Sequence, residues 1–449
     1  MTSALNTNTS TRDVVILELR LVASNGKVAN LLGNYSAINI YEDIFSSVIT
    51  GTIQLNDGVN LMSEYAIHGN EYIYITFGRP GEIEVNQRYT KAFRVFKITD
   101  REKSPTGQIQ RYIIHFCSEE LIFSNQLNIS RTYSGKNVSE YVANICLFDL
   151  KCNPIKLKDF ENSAGPTDFV LTRKTPLEAI EYFAQHSFSS SLSPFLFFEN
   201  KNGFNFISLQ NLYERSSVGT IEFNTANYTA ETSTSPFINS NNINDFKFTK
   251  NFDIFKATKE GLFSSKLFTL DLIRQTYTQD NISLLNELNS GVMIDGFFPF
   301  NDATNRNNKA LFQEFDSGIR YCLTNKNRSN LPYFISKRQR ENNTFIENYL
   351  VQRKMLINLI NNTELHCTVP GNPQYTAGYT VQLNMPAFTQ NLLNEKTLDP
   401  SYSGKYLITA VHHVIVPGSL QTVLELSKNS ISTSLGLAGG SEYKKAQGL

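Results

Sequence analysis

Six histidines, five cysteines and 41 acidic residues are the side chains from which this 449-residue chain would build a catalytic or metal site. Two histidines are adjacent, His412-His413, within the alternating stretch YLITAVHHVIV. Neighbouring residues of a strand point to opposite faces, so this pair cannot easily share one ion. Both are expected to be structural, the alternative being that His366 lies across the sheet from one of them in a metal or polar-core site. The cysteines Cys117, Cys146, Cys152, Cys322 and Cys367 are odd in number and form no CxxC pair. They are expected to be free buried thiols, not a zinc site or disulfide framework. The carboxylates are scattered and read as surface charge, although a paired-carboxylate glycosidase site is set by space and not by spacing. Nucleophile elbows of the G-x-S-x-G type, P-loops, H-E-x-x-H helices and EF-hand loops are absent. No catalytic residue, cofactor or metal ligand is assigned, and the chain is expected not to be an enzyme.

Charge narrows the partners. The 41 Lys and Arg balance the 41 acidic residues, so net charge is zero. A dedicated nucleic-acid binder draws its affinity from a basic excess facing phosphates, which this chain lacks. The cluster Lys337-Arg338-Gln339-Arg340 sits in a polar stretch and reads as a solvated face. Arg79 and Lys136 are single loop charges with no phosphate-binding pattern. The opening MTSALNTNTSTR lacks the charged start and apolar core of a signal peptide, and no run approaches 18 apolar residues. Synthesis in a cytoplasm, without insertion into a membrane, is expected. With 32 Phe, 21 Tyr and no Trp, the composition is that of an aromatic-rich globular protein.

The elements that must position any site fall into blocks. Residues 1–12 are expected to be flexible. From 13 to 127, VVILELRLV, YSAINIYE, SVITGTIQL, EYIYITFG, KAFRVFKITD and QIQRYIIHFCS alternate with turns, the pattern of a small antiparallel sheet or barrel of roughly six or seven strands. Residues 128–213 change period. Asn137 precedes a helix with Val138, Tyr141, Val142, Ile145 and Leu147 on its apolar face, and Thr175-Pro176-Leu177-Glu178 combines an N-cap, a first-turn proline and a capping Glu. A hairpin follows, PFLFFEN and FNFISL around Lys201-Asn202-Gly203. Its Phe195, Phe197, Phe198, Phe204 and Phe206 are expected to share a core, with a ligand-stacking platform as the alternative.

Residues 214–243 are Ser/Thr/Asn-rich and read as a connection over the surface. Within 244–340 strands return as DFKFTKNFD, DIFKATKEGLF and SKLFTLDLI, contributing to a second barrel, with an irregular insertion carrying GFFPF. Phe297, Phe298 and Phe300 there are candidate interface residues, open to an intersubunit contact or to local packing. Residues 341–428 hold an amphipathic helix over 344–360 and four strand segments, the last two joined at Pro417-Gly418-Ser419. Residues 429–449 are expected to be a flexible tail. The fold class is α+β, mainly β, with a sheet-rich unit near each end and no fixed short repeat.

Three stretches carry a resemblance to a known family. They are Tyr41 to Phe77 (YEDIFSSVITGTIQLNDGVNLMSEYAIHGNEYIYITF), KTPLEAIEYFAQHS with FLFFENKNGFNFISLQNLY, and LHCTVPGNPQYTAGYTVQLNMPA with SGKYLITAVHH. They resemble the baseplate central hub proteins of contractile-tailed, T-even-like bacteriophages, distantly akin to the hub portion of type VI secretion spike proteins. Gly69, Gly203, Gly371, Gly378 and Gly404 fall at family-like turn positions, whereas 214–335 matches nothing in the family. The resemblance implies two tail-tube-like antiparallel β-barrel domains with an α+β insertion. It also implies a homotrimer whose six barrels adapt a hexameric tail tube to a trimeric spike, in contact with other baseplate subunits. DNA would pass through its channel without specific binding, the spike would be a separate polypeptide, and the protein would sit in the virion tail baseplate. The alternatives are a wedge or distal-tail subunit, or a tail-associated cell-wall hydrolase.

Overall fold

The computed structural model describes residues 14–80, 84, 87–103, 107, 109–164, 168–223, 242–271, 275–283, 293–296, 318–323, 346–360, 362–386, 398–399 and 401–432. Alternating apolar residues make the first block a set of strands, with one parity buried and the other wet. These are β1 (Val15–Val22), β2 (Val28–Asn30), β3 (Tyr35–Asp43), β4 (Thr50–Asp57), β5 (Tyr72–Gly78), β6 (Tyr89–Lys103) and β7 (Gln110–Cys117), with the short α1 (Leu61–Glu64) after β4. Next come α2 (Glu119–Gln126), β8 (Ile129–Tyr133), α3 (Val138–Asn144), β9 (Leu157–Phe160), β10 (Phe169–Lys174), α4 (Pro176–Gln185), β11 (Phe195–Asn200), β12 (Gly203–Ser208) and α5 (Leu209–Glu214). The caps read from sequence are formed: Asn137 accepts the Ser139 N–H, and Thr175 with Glu178 completes a capping box.

The remainder comprises β13 (Ser217–Glu222), β14 (Asp245–Asn251), α6 (Ile254–Lys259), β15 (Ser264–Asp271), β16 (Thr276–Ser283), β17 (Gly318–Leu323), α7 (Ile346–Ile360), β18 (Thr363–Pro370), β19 (Thr380–Asn384), β20 (Gly404–Val416) and β21 (Ser419–Lys428). Two segments differ from expectation. DIFKATKEGLF is not all strand: Asp253 accepts the Lys256 N–H and caps α6, a local side-chain bond that outcompetes extension. Part of the expected polar connection is β13, which gains a partner only in three dimensions by pairing parallel with β19.

Thirteen strands form one sheet in the order β14-β18-β21-β20-β3-β4-β7-β6-β5-β1-β2, with β19 on β20 and β13 on β19. Among the described residues this strand order is open. It contains a repeat. The run β3-β4-β7-β6, continued by β5 and β1, has the same order of neighbours as β14-β18-β21-β20, continued by β19 and β13, although β5 and β1 pair antiparallel where β19 and β13 pair parallel. The long last strand of each run is irregular at the matching place, between Val95 and Lys97 in β6 and between Ile408 and Ala410 in β20. The runs meet along β20. Its first half takes β19, and its second half takes β3, from Ala410 opposite Asp43 to Ile415 opposite Ile38.

Three of the cores among the described residues follow directly from this arrangement. Leu19, Ile38, Ile53, Phe77, Tyr112 and Phe116 pack under the first run together with Ile415 and Leu420 of the second. Ile221, Leu365, Tyr406, Val411 and Leu424 fill the second run. The helices α3 and α4 pack Val142, Ile180 and Phe183 on the hairpin phenylalanines Phe195, Phe197, Phe204 and Phe206. Phe198 departs from the expected shared core: it faces the other way, among Ile44, Leu196, Ala377 and Leu407. The hairpin is thus buried on both faces. No helix among the described residues is long and apolar enough to cross a membrane.

Packing under the first run is tight at Gly51 of β4, where a Cβ would lie 2.3 Å from the Phe116 ring and 2.4 Å from the Asn39 carbonyl oxygen. Gly51→Ala is expected to lower stability by roughly 1–3 kcal/mol through overpacking. Urea unfolding checks this as a lower midpoint at an unchanged slope; a wild-type midpoint would contradict the packing described.

Candidate assembly site at the strand seam

The junction of β3 with β20 has a wet face and a dry face. On the wet face the Tyr41 ring stacks on His412, with centroids 4.4 Å apart. His412 Nε2 lies 3.0 Å from Asn39 Oδ1, and the Asn39 amide donates to Thr52 Oγ1 at 3.2 Å, carrying the contact onto β4. On the dry face His413 is fully buried, its Nδ1 3.0 Å from Thr422 Oγ1 and its ring edge-on to Phe77 and Tyr89. Burial, reinforced by Lys201, pushes its pKa down to about 3, so the imidazole is neutral. The two histidines therefore occupy opposite faces, as strand periodicity requires.

Two buried carboxylates tie the seam to the rest of the chain. Glu42 of β3 accepts the Thr376 hydroxyl at 2.5 Å and the Ala377 N–H at 3.1 Å, bonds that reach into the second run. Burial pushes its pKa up, outweighing those hydrogen bonds. Glu199 of β11 accepts Lys91 Nζ at 2.6 Å, the Ile49 N–H at 3.1 Å and the Ser118 hydroxyl. Burial opposes its ionisation, yet Lys91 and Ser118 outweigh that and hold the carboxyl below its usual range. The same hairpin holds the second run: Asn200 Nδ2 donates to the Ala377 carbonyl at 3.0 Å, and the Lys201 N–H donates to Thr376 Oγ1 at 3.2 Å. Neither carboxylate was singled out from sequence, though both carry a signal. Glu42 shares the parity of Ile38 and Ile40, and Glu199 ends the apolar run FLFFE.

The residues chosen from sequence are dispersed. Gly69 precedes β5, Gly203 opens β12, Gly371 follows β18, Gly378 precedes β19 and Gly404 opens β20. Gly378 has φ +81 and a Cβ there would lie 2.4 Å from the Phe198 ring, so glycine is required on both counts. Phe297, Phe298 and Phe300 lie outside the described residues, as does Lys337-Arg338-Gln339-Arg340. Cys117, Cys146, Cys152 and Cys367 are free and buried. Arg79, a lone loop charge in sequence, donates from Nε to the Gly371 carbonyl at 2.5 Å and so bridges the two runs. The expected tail begins ordered: Asn429 Oδ1 accepts the Ile294 N–H at 3.0 Å and Ser430 Oγ the Asp295 N–H at 2.9 Å, burying both side chains.

His366 does not face His412 or His413. Its cross-strand partners are Glu425 and Lys247, because β21 intervenes between β18 and β20. His366 Nε2 lies 3.2 Å from Glu364 Oε1 and 3.5 Å from Glu425 Oε2, and the three ligand atoms fall within 4.8 Å of one another. This half-exposed trio could accept a cation. The contacts of His366 with its two carboxylate neighbours already account for the arrangement.

What the geometry can do is join sheets, and the comparisons with known proteins agree with a structural role. No family model matches the chain. It is 22% identical over 424 residues to the protein named "Probable baseplate hub protein gp334" of Vibrio phage KVP40, covering 92% of this chain and 93% of that one. Among solved structures, the tail protein from Neisseria meningitidis MC58 aligns with a TM-score of 0.50 at 10% identity, over 92% of this chain and 96% of that one. This second likeness is one of fold.

Two outcomes are expected at the site. Glu199→Gln leaves Lys91 buried without its counter-charge and is expected to cost about 3–5 kcal/mol in chemical denaturation. Most of this should return in a Lys91→Met/Glu199→Leu double variant. His413 binds fewer protons folded than unfolded between about 3 and its ordinary 6.5. Its contribution to stability is therefore whole above pH 6.5 and is lost as pH falls toward 3. Unfolding titrations across that window should show a shallower pH slope for His413→Gln than for wild type; equal slopes would refute the buried neutral imidazole.

Proposed function

We propose that this protein is a structural subunit of a phage tail baseplate hub, acting by assembly and not by catalysis. The observation that carries the reading is the fused repeat: two runs with one strand order, joined along β3 and β20 into a continuous sheet. Similarity along 92% of the chain, at 22% identity, to a protein named as a probable baseplate hub protein supports it. On this reading each run belongs to a tail-tube-like barrel, the first spanning 13–127 and the second drawing on 244–340 and 341–428, with 128–213 inserted between them. A trimer then offers six similar units. One side matches a six-fold tail tube and the other a three-fold spike, which is the symmetry problem a hub must solve.

The ring surrounds the tail channel, and other baseplate subunits bind outside it. A chain with no net charge gains little from counterion release, so DNA can pass without being held. Light scattering is expected to give three times the chain mass, and the trimer is expected to co-sediment with tail-tube and spike proteins. A strict monomer at high concentration that binds neither would sink this reading. Electron microscopy placing the protein off the tail axis would favour a wedge or distal-tail subunit instead, and clearing of peptidoglycan by the purified chain would favour a hydrolase.

A further inference from the structure

Away from the seam, the wet face of the second run gathers three side chains able to bind a metal. Glu364 and His366 stand two residues apart on β18, and Glu425 of β21 is directly opposite His366. Side chains of a strand alternate and directly opposed residues share a face, so all three project the same way. His366 Nε2 lies 3.2 Å from Glu364 Oε1 and 3.5 Å from Glu425 Oε2. A zinc ion held tetrahedrally through bonds of about 2.1 Å sets its donors about 3.4 Å apart. All three donor atoms fall within 4.8 Å of one another, so closing around an ion asks only for side-chain adjustment.

Contacts with His366 explain why the three side chains lie together, but not why each carboxylate is also fastened from outside the trio. Thr249 Oγ1 donates to Glu364 Oε1 at 2.7 Å, and Thr409 Oγ1 donates to Glu425 Oε1 at 2.7 Å. Each threonine is the extra residue of a register shift, between Phe248 and Lys250 in β14 and between Ile408 and Ala410 in β20. Bulges re-aim side chains, and these two, on the strands flanking β18 and β21, brace the two carboxylates. The strand order does not require this. Where the second run has Glu364, His366 and Glu425, the first has Thr50, Thr52 and His115, and Phe96 takes the place of Thr409. The same ladder forms there without a carboxylate pair.

We propose that Glu364, His366 and Glu425 form a site for a first-row divalent transition metal, with Zn²⁺ as the probe. The ion staples β18 to β21 and keeps an outward coordination position for water. An imidazole nitrogen beside two carboxylates favours such an ion over Mg²⁺ or Ca²⁺, whose ligands are oxygens. Thr249 and Thr409 are positioning residues, since hydrogen bonds to ligating groups orient them and raise affinity. Two lysines oppose binding: Lys247 is across from His366 on the β14 side, and Lys250 is across from Glu364. Lys247 is exposed, so its ammonium can extend into solvent while its charge still lowers the affinity.

The chain, freed of metal with a chelator, is expected to take up one Zn²⁺ when titrated calorimetrically with zinc chloride, and zinc should raise its urea midpoint. His366→Gln, Glu364→Gln and Glu425→Gln are each expected to lose the binding heat. None of the three side chains is fully buried, so the metal-free variants should keep the wild-type circular dichroism. Thr409→Val leaves every donor in place and should weaken binding about tenfold. Lys247→Gln should tighten binding, a gain that a folding defect would not give. A wild-type chain that takes up no zinc, or one whose binding is the same in His366→Gln, overturns the site. Neither result bears on the hub reading, because the trio belongs to a single chain.

Discussion

The ladder between β3 and β20 is the constraint on which the rest of the structure depends. It is a short set of backbone pairs, from Ala410 opposite Asp43 to Ile415 opposite Ile38, yet it makes one sheet of two runs. Strand periodicity gives it force. A slip of one residue would turn His413 and Ile415 out to water and carry His412 and Val414 into the core. Ile415 and Leu420 pack in the core of the first run, so the second run cannot separate without opening the first.

Beneath that ladder, polar groups do what apolar packing alone cannot. Burying a carboxylate is costly unless it is paired or neutralised, and the two here take different courses. Glu199 stays ionised because Lys91, Ser118 and the Ile49 N–H surround it. Glu42 has hydrogen bonds from Thr376 and Ala377 but no ammonium bonded to it, and burial shifts it toward the protonated form. Both bind groups distant in sequence, so they specify which surfaces meet. The apolar hairpin of β11 and β12, buried on both faces, supplies the bulk of that contact while Glu199, Asn200 and Lys201 supply its register.

Local chemistry was legible wherever the determining atoms are close in sequence. The capping box at Thr175, the N-cap at Asn137, the turns at Gly203 and Gly418 and the opposed faces of His412 and His413 all follow from short-range geometry. Reading failed where a local bond competes with a period, as at α6, where Asp253 caps a turn inside a strand-like composition. It failed again where a partner is remote. β13 is a short segment in a polar stretch that becomes a strand by pairing with β19 and burying Ile221, and the partners of His366 depend on β21 lying between β18 and β20.

By itself the sequence determined a mainly β chain with a helical insertion, sheet-rich ends, buried thiols and no net charge. Periodicity, capping chemistry and composition are properties of neighbouring residues, so they survive without coordinates. Only the tertiary structure decided that the two ends share one strand order, that β20 serves both, that Glu42 bonds one end to the other, and that Glu199 fixes the hairpin to the first run. Those facts join residues hundreds of positions apart, such as Glu42 with Thr376. A hydrogen bond across that separation leaves no period or motif in the chain, because chain folding and not sequence spacing brings its two atoms within reach.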